Sequence, residues 1–180
     1  NLLRGPLQRR QEAMADAPNR EEFLDDFLKN RIFYQVRRKM NLGEAALDLP
    51  EADLRKLSLA GGLMARVAHV DEEIFDAELE SMIRALKEGW DLSREAAALV
   101  VEIALAEFSA GMDFYRLTRE FFESTSRKER VKFAETLFRV AAADGDIAHH
   151  ETEEIRRIAN GLKLTHKQFI QAKLKASEGA

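Results

Sequence analysis

The segment Arg139-Val-Ala-Ala-Ala-Asp-Gly-Asp-Ile-Ala-His-His-Glu151 has a cruder copy upstream, Arg66-Val-Ala-His-Val-Asp-Glu-Glu-Ile-Phe-Asp-Ala-Glu78. Val67 aligns with Val140, Asp71 with Asp144, Glu73 with Asp146, Ile74 with Ile147 and Glu78 with Glu151. Self-similarity at a fixed offset marks an internal repeat, so the chain is expected to fold as two related halves with one acidic turn in each. Each half reads as helix, acidic turn, helix and capped helix, with Ser93 and Thr165 in corresponding places.

Periodicity supplies the helices. Leu24, Leu28, Ile32, Val36 and Met40 recur every four residues, which predicts one amphipathic helix from Phe23 to Met40. Pro50 suits the first position of a helix reaching about Val70, with Leu54, Leu57, Leu63, Met64 and Val67 inward and Gly61-Gly62 marking a close helix contact. A helix from Asp76 to about Glu88 should stop at Gly89, and Ser93 caps the next, which ends at Gly111. Asp113 opens a short helix with an aromatic stripe of Phe114, Phe121 and Phe122 beside Leu117; such stripes usually pack as core. Ser126 with Glu129, and Thr165 with Gln168, have the spacing of capping boxes, in which each side chain satisfies the other residue's free amide. Ile155 and Ile158 lie in a helix ended by Asn160-Gly161, and Phe169, Ile170 and Leu174 form the apolar side of the last. No stretch alternates apolar and polar residues as a strand would. The expected fold is all-α: about seven short helices in a duplicated bundle over residues 56–180, preceded by a partly irregular helical extension over 1–55.

The chain has no cysteine, which excludes disulfides, thiolate metal sites and thiol redox chemistry. No run of about 18 apolar residues exists and no export signal is visible, so the cytoplasm is the expected compartment. The net charge of −4 is unevenly spread, since residues 1–40 carry nine Lys/Arg against six Asp/Glu and the remainder is acidic. An acidic body disfavours nucleic acid as a partner. The basic stretch from Lys29 to Lys39 is expected to be a solvated helix face. Gly-rich phosphate loops and nucleophile elbows are absent, so no enzyme is expected. Glu102 and Glu107, set among apolar residues of one helix, are also expected on a solvated face.

The acidic turns carry the chemistry. Hard cations take several oxygen ligands at about 2.0 to 2.6 Å, and carboxylates on a turn entering a helix can supply them. Setting Gly145 at the glycine of an EF-hand loop puts Glu151 at the terminal glutamate but leaves Val140 and Ala142 at the first and third ligand positions. Neither has a side-chain oxygen, so this is not an EF-hand. The string His150-Glu151-Thr-Glu-Glu154 likewise lacks the final histidine of the zinc-protease pattern. His69, His149 and His150 flank the two turns and extend the donor set toward Zn²⁺, although histidines at such places are more often simply solvated. A purely structural role is also open, because Asp-Gly is a turn dipeptide and acids in a first turn complement the helix dipole.

Val140-Ala-Ala-Ala-Asp-Gly-Asp-Ile with Glu151, the following Ile155-Arg-Arg-Ile-Ala and Leu162-Lys-Leu-Thr, and Asp113-Phe-Tyr-Arg-Leu-Thr-Arg-Glu together resemble the TerB-like family, named for tellurite resistance protein B. The resemblance spans about residues 59–177. It implies a duplicated helical bundle with a divalent-metal site near the two turns, and a link to stress-response systems often associated with the membrane. Carried over residue by residue, the implied ligands are Asp144, Asp146 and Glu151, joined by Asp71, Glu73 and Glu78 of the upstream turn. Ca²⁺ is the preferred ion, with Mg²⁺, Mn²⁺ and Zn²⁺ as alternatives. Implied partners are other proteins, including stress-response components at the inner face of the membrane. Two positions depart from the pattern: Glu72 stands where the downstream turn has Gly145, and Ala148 stands where a capping serine is expected. The family name does not describe this chain's chemistry, since an acidic surface repels the tellurite anion and thiols for its reduction are missing.

Overall fold

The computed structural model describes residues 20–43, 47–69, 74 and 76–178. Among them are nine helices and no strand: α1 (Arg20–Lys29), α2 (Arg31–Asn41), α3 (Glu51–Ala68), α4 (Asp76–Trp90), α5 (Arg94–Ser109), α6 (Phe114–Ser124), α7 (Arg127–Ala141), α8 (His149–Gly161) and α9 (His166–Glu178). The protein is an all-α bundle. Seven of the helices lie from Glu51 onward, and no helix among the described residues is long and apolar enough to cross a membrane.

The bundle is organised around α3, which packs against α2, α4, α5, α6, α7 and α8. Twelve of its 18 residues are buried, so it is enclosed on nearly every side rather than amphipathic. Small residues make that enclosure possible. A β-carbon on Gly61 would sit 3.4 Å from Val100 and 3.6 Å from Ala104 of α5, whereas one on Gly62 would meet Ile32 of α2 and Leu117 of α6 at 2.9 Å. The close contact predicted at this pair therefore belongs mainly to Gly62, where three helices meet. Pro50 precedes the helix as its N-cap instead of opening it, and Ser58 satisfies its buried hydroxyl by donating to the Leu54 carbonyl at 2.7 Å.

The predicted helix over 23–40 is two helices broken at Asn30. The Asn30 side chain donates to the Asp26 carbonyl oxygen at 3.2 Å and to Asp26 Oδ1 at 3.1 Å, which competes with continuation of the helix. Ile32 and Val36 remain on the core side, but Leu24 and Leu28 turn out to solvent at 47% and 48% exposure. Asp26 also accepts a two-pronged contact from Arg55 at 3.0 and 3.1 Å and a hydrogen bond from the Tyr34 hydroxyl. Burial pushes the Asp26 carboxyl up, yet the bonds from Arg55, Tyr34 and Asn30 outweigh it and hold the group below the usual aspartate value.

Caps fall where the sequence places them. Ser93 accepts from Ala96 N–H, Asp113 from Tyr115 and Arg116 N–H, and both capping boxes form. The stops differ. Helix α4 runs past Gly89, and the left-handed residue that ends it is Asp91 (φ 52°), with Leu92 N–H reaching back to the Lys87 carbonyl. Lys163 (φ 57°) does the same after α8, with Leu164 N–H bonded to the Ala159 carbonyl. Leu92 and Leu164 are both buried, so a hydrophobic contact fixes each stop without glycine. In α9, Phe169 packs against Phe138, but Ile170 and Leu174 are exposed; Ala172 and Ala176 take the core side because α7 approaches closely there.

Candidate functional site: the acidic turns

The downstream turn begins where α7 ends at Ala141. Gly145 (φ 129°) carries the chain through a conformation that residues with side chains rarely adopt, and its N–H bonds to the Ala142 carbonyl. Asp144 and Asp146, on either side, are exposed, and neither makes a hydrogen bond or ion pair with another described residue. Ile147 packs against the core and directs the chain into α8.

Glu151 behaves differently. It is 4% exposed, and its Oε1 accepts the Ala148 N–H at 3.2 Å. That is half of a capping box; the other half is impossible because Ala148 has no side-chain oxygen. Upstream, Glu78 occupies the same third position of its helix α4 and is 2% exposed. Asp71 and Glu73 lie outside the described residues. Helices α4 and α8 thus each bury one glutamate in their first turn, while Asp144 and Asp146 stay in water.

As donors, these groups suit a hard cation, since all are carboxylate oxygens. Geometry within the described residues gives less: no three acidic or histidine side chains converge to hold an ion. One Glu151 oxygen is already engaged by a backbone amide, so a complete ligand shell on these residues requires the upstream turn. His149 and His150 are exposed at the start of α8. His69 stacks on Phe108 with ring centroids 4.5 Å apart, and its desolvation lowers the imidazole below the ordinary histidine value.

A second set of charged residues escaped the sequence reading. Glu154, 5% exposed, is shared between Arg66 Nε of α3 and Arg157 Nη1 of α8, the latter at 3.0 Å. The Arg66 guanidinium lies 4.0 Å from the centre of the Phe114 ring. A signal for it exists: Glu151, Glu154, Ile155 and Ile158 share one face of α8, so both glutamates belong to the buried stripe. Glu107 is another buried acid, meeting Arg31 at 2.9 Å, whereas Glu102 is exposed as expected. Glu107 was expected on a solvated face; α2 packing on α5 covers it.

Two open grooves complete the surface. One, of about 830 Å³, runs between α6 and α8 and carries Arg119, Arg157 and Lys163 on its sides. The other, of about 550 Å³, lies between the start of α3, the end of α4 and the α6–α7 junction, with Trp90 in its wall.

An all-α bundle wrapped around one enclosed helix, with an acidic turn leading into α8 and a buried glutamate in the first turn of both α4 and α8, defines a helical module. The profile of the family described as tellurite resistance protein TerB matches residues 57–174, more than half of the chain, and the protein belongs to that family. The match starts inside α3 and covers both acidic turns. Neither a curated protein nor a solved structure shows significant similarity to the chain.

Proposed function

We propose that this protein is a non-enzymatic TerB-like module that binds a divalent cation through its acidic turns and presents its helical surface to partner proteins in a stress response. The observation that carries the metal half is the inward placement of Glu78 and Glu151. Glu78 and Glu151 are buried at the same third position of the helix that follows each acidic segment, so carboxylate oxygens from both halves face inward. Asp144, Asp146 and Glu151 would hold the ion from the downstream turn, and Asp71, Glu73 and Glu78 from the upstream one. Bound there, an oxygen-loving ion such as Ca²⁺ would neutralise the acids and tie the two turns together.

A metal-free scaffold is the competing reading, supported by the bond from Ala148 N–H to Glu151, which gives that glutamate a structural role without any ion. Thermal melting separates the two. After treatment with EDTA, an ion supplied at about 100 times its dissociation constant stabilises a protein by about 2.7 kcal/mol, which for this size raises Tm by roughly 5–10 °C. Such a rise with Ca²⁺, Mg²⁺, Mn²⁺ or Zn²⁺, lost in a variant with Asp144→Asn and Asp146→Asn, supports the metal reading. No rise with any of the four ions rejects it in favour of the scaffold.

A further inference from the structure

The groove holding Trp90 has an apolar floor and an acidic rim. Phe121 and Phe133 are buried beneath it with their rings 4.6 Å apart, and Leu49 and Trp90 are half-buried in its walls. Asp53, Glu88 and Asp91 stand on the rim, and none of the three is paired with another described residue. Lys56, which also lines the groove, is held at 2.8 Å by Glu129, and the same contact keeps the Glu129 carboxyl below its ordinary value. Lys132 is then the remaining lining cation against three unpaired acids. Negative charge around the half-buried side chains of Leu49 and Trp90 selects for a positively charged ligand with apolar groups.

No strand occurs among the described residues, so no sheet edge is offered to an extended peptide. Recognition must therefore use side chains, as when the apolar stripe of an amphipathic helix lies in a groove. We infer that the Trp90 groove docks a cationic amphipathic helix of a partner protein, its apolar stripe against Leu49 and Trp90 and its Lys or Arg residues against Asp53, Glu88 and Asp91. This deepens the partner-presenting half of the proposed function and is independent of the metal half: Glu78 and Trp90 lie near opposite ends of α4, about 18 Å apart along the helix.

Trp90 is the sole tryptophan, so its fluorescence reports on this groove alone. The full chain is titrated with a synthetic amphipathic Leu/Lys helix, once in EDTA and once with Ca²⁺. Saturable binding with a blue-shifted Trp90 emission in both buffers is expected, together with an affinity that falls as salt rises. A variant with Asp53→Asn, Glu88→Gln and Asp91→Asn, which keeps side-chain shape, should bind at least tenfold more weakly at unchanged Tm. Glu123→Gln, in the other groove, should bind as the parent does. Binding seen only with Ca²⁺ would overturn the independence of the two halves, and binding in EDTA alongside no metal-induced rise in Tm would fail the metal reading and leave this one standing. Equal affinity for a Leu/Glu helix, undiminished binding by the triple variant, or an unmoved Trp90 spectrum would overturn the inference. Equally tight binding of a small aromatic cation would reassign the groove to small-molecule ligands.

Discussion

Helices α1 and α3 both carry apolar residues at helical spacing, yet one has no buried residue and the other has twelve. Sequence period alone does not separate them. What differs is the means of attachment: α3 is held by apolar surface on nearly all sides, while α1 is tied to α2 and α3 through the carboxylate of Asp26 and to α6 through the Lys29–Glu120 ion pair at 3.4 Å. Apolar enclosure is insensitive to pH and salt, whereas charged ties depend on both. The bundle therefore has a centre governed by packing and an outer helix governed by electrostatics.

The largest effect expected from this contrast is at Leu63, which is fully buried at the middle of α3. Leu63→Ala should cost about 2–5 kcal/mol in urea unfolding, as buried leucine truncations do. A cost under about 1 kcal/mol would show that the centre collapses around the hole, and the contrast with α1 would fail. Next come the paired glycines, where opposite signs are expected. Gly61→Ala gains helix propensity of about 1 kcal/mol with only ordinary contacts, while Gly62→Ala forces Ile32 and Leu117 to shift, an overpacking cost of about 1–3 kcal/mol. Thermal melts showing the same sign for both would contradict the three-helix contact.

Asp26→Ala should change global stability by no more than about 1 kcal/mol, since the carboxylate is partly exposed, but should raise amide exchange throughout Arg20–Lys29. Its pH counterpart follows from the lowered carboxyl. The unfolded chain binds the proton first, so the tie is fully present above about pH 4, the ordinary aspartate value, and is lost as pH falls through the lower folded value. Exchange in α1 should accelerate in that acid range before exchange in α3 does; simultaneous loss would mean that the two helices open as one unit. The smallest effect belongs to Leu24→Ser, within about 0.5 kcal/mol, because that side chain is half in water already.

The helices from Glu51 onward were legible because their caps are local. Ser93, Ser126 with Glu129 and Thr165 with Gln168 need only neighbouring amides, so a few residues specify each start. Features that depend on a distant partner were not legible. Asn30 breaks a continuous apolar stripe through a hydrogen bond to Asp26, whose position is in turn set by Arg55. Gly89 looked like a stop, but Asp91 takes that role because Leu92 has core to enter; α8 does end at Gly161, with the left-handed turn at Lys163 carrying Leu164 into the core. At the candidate site the acidic pattern locates the acids without sorting them. Glu151 falls on the buried face of α8 with Ile155 and Ile158, whereas Asp144 and Asp146 fall on a solvent-facing turn, so helical spacing and not the acidic pattern distinguishes the two roles.

The place of α3 in the chain also shapes how the molecule is made. Domains fold as they emerge from synthesis, amino-terminal parts first, but four of the six helices that enclose α3 are encoded after Asp91. The bond from Arg66 to Glu154 alone joins residues 88 positions apart. A nascent chain that has just produced α3 carries Leu57, Leu63 and Met64 with little but α2 to cover them, and their enclosure is built up stepwise by α4 to α8. Enclosure of α3 is consequently completed late in the order of the chain, only once α8 has been added.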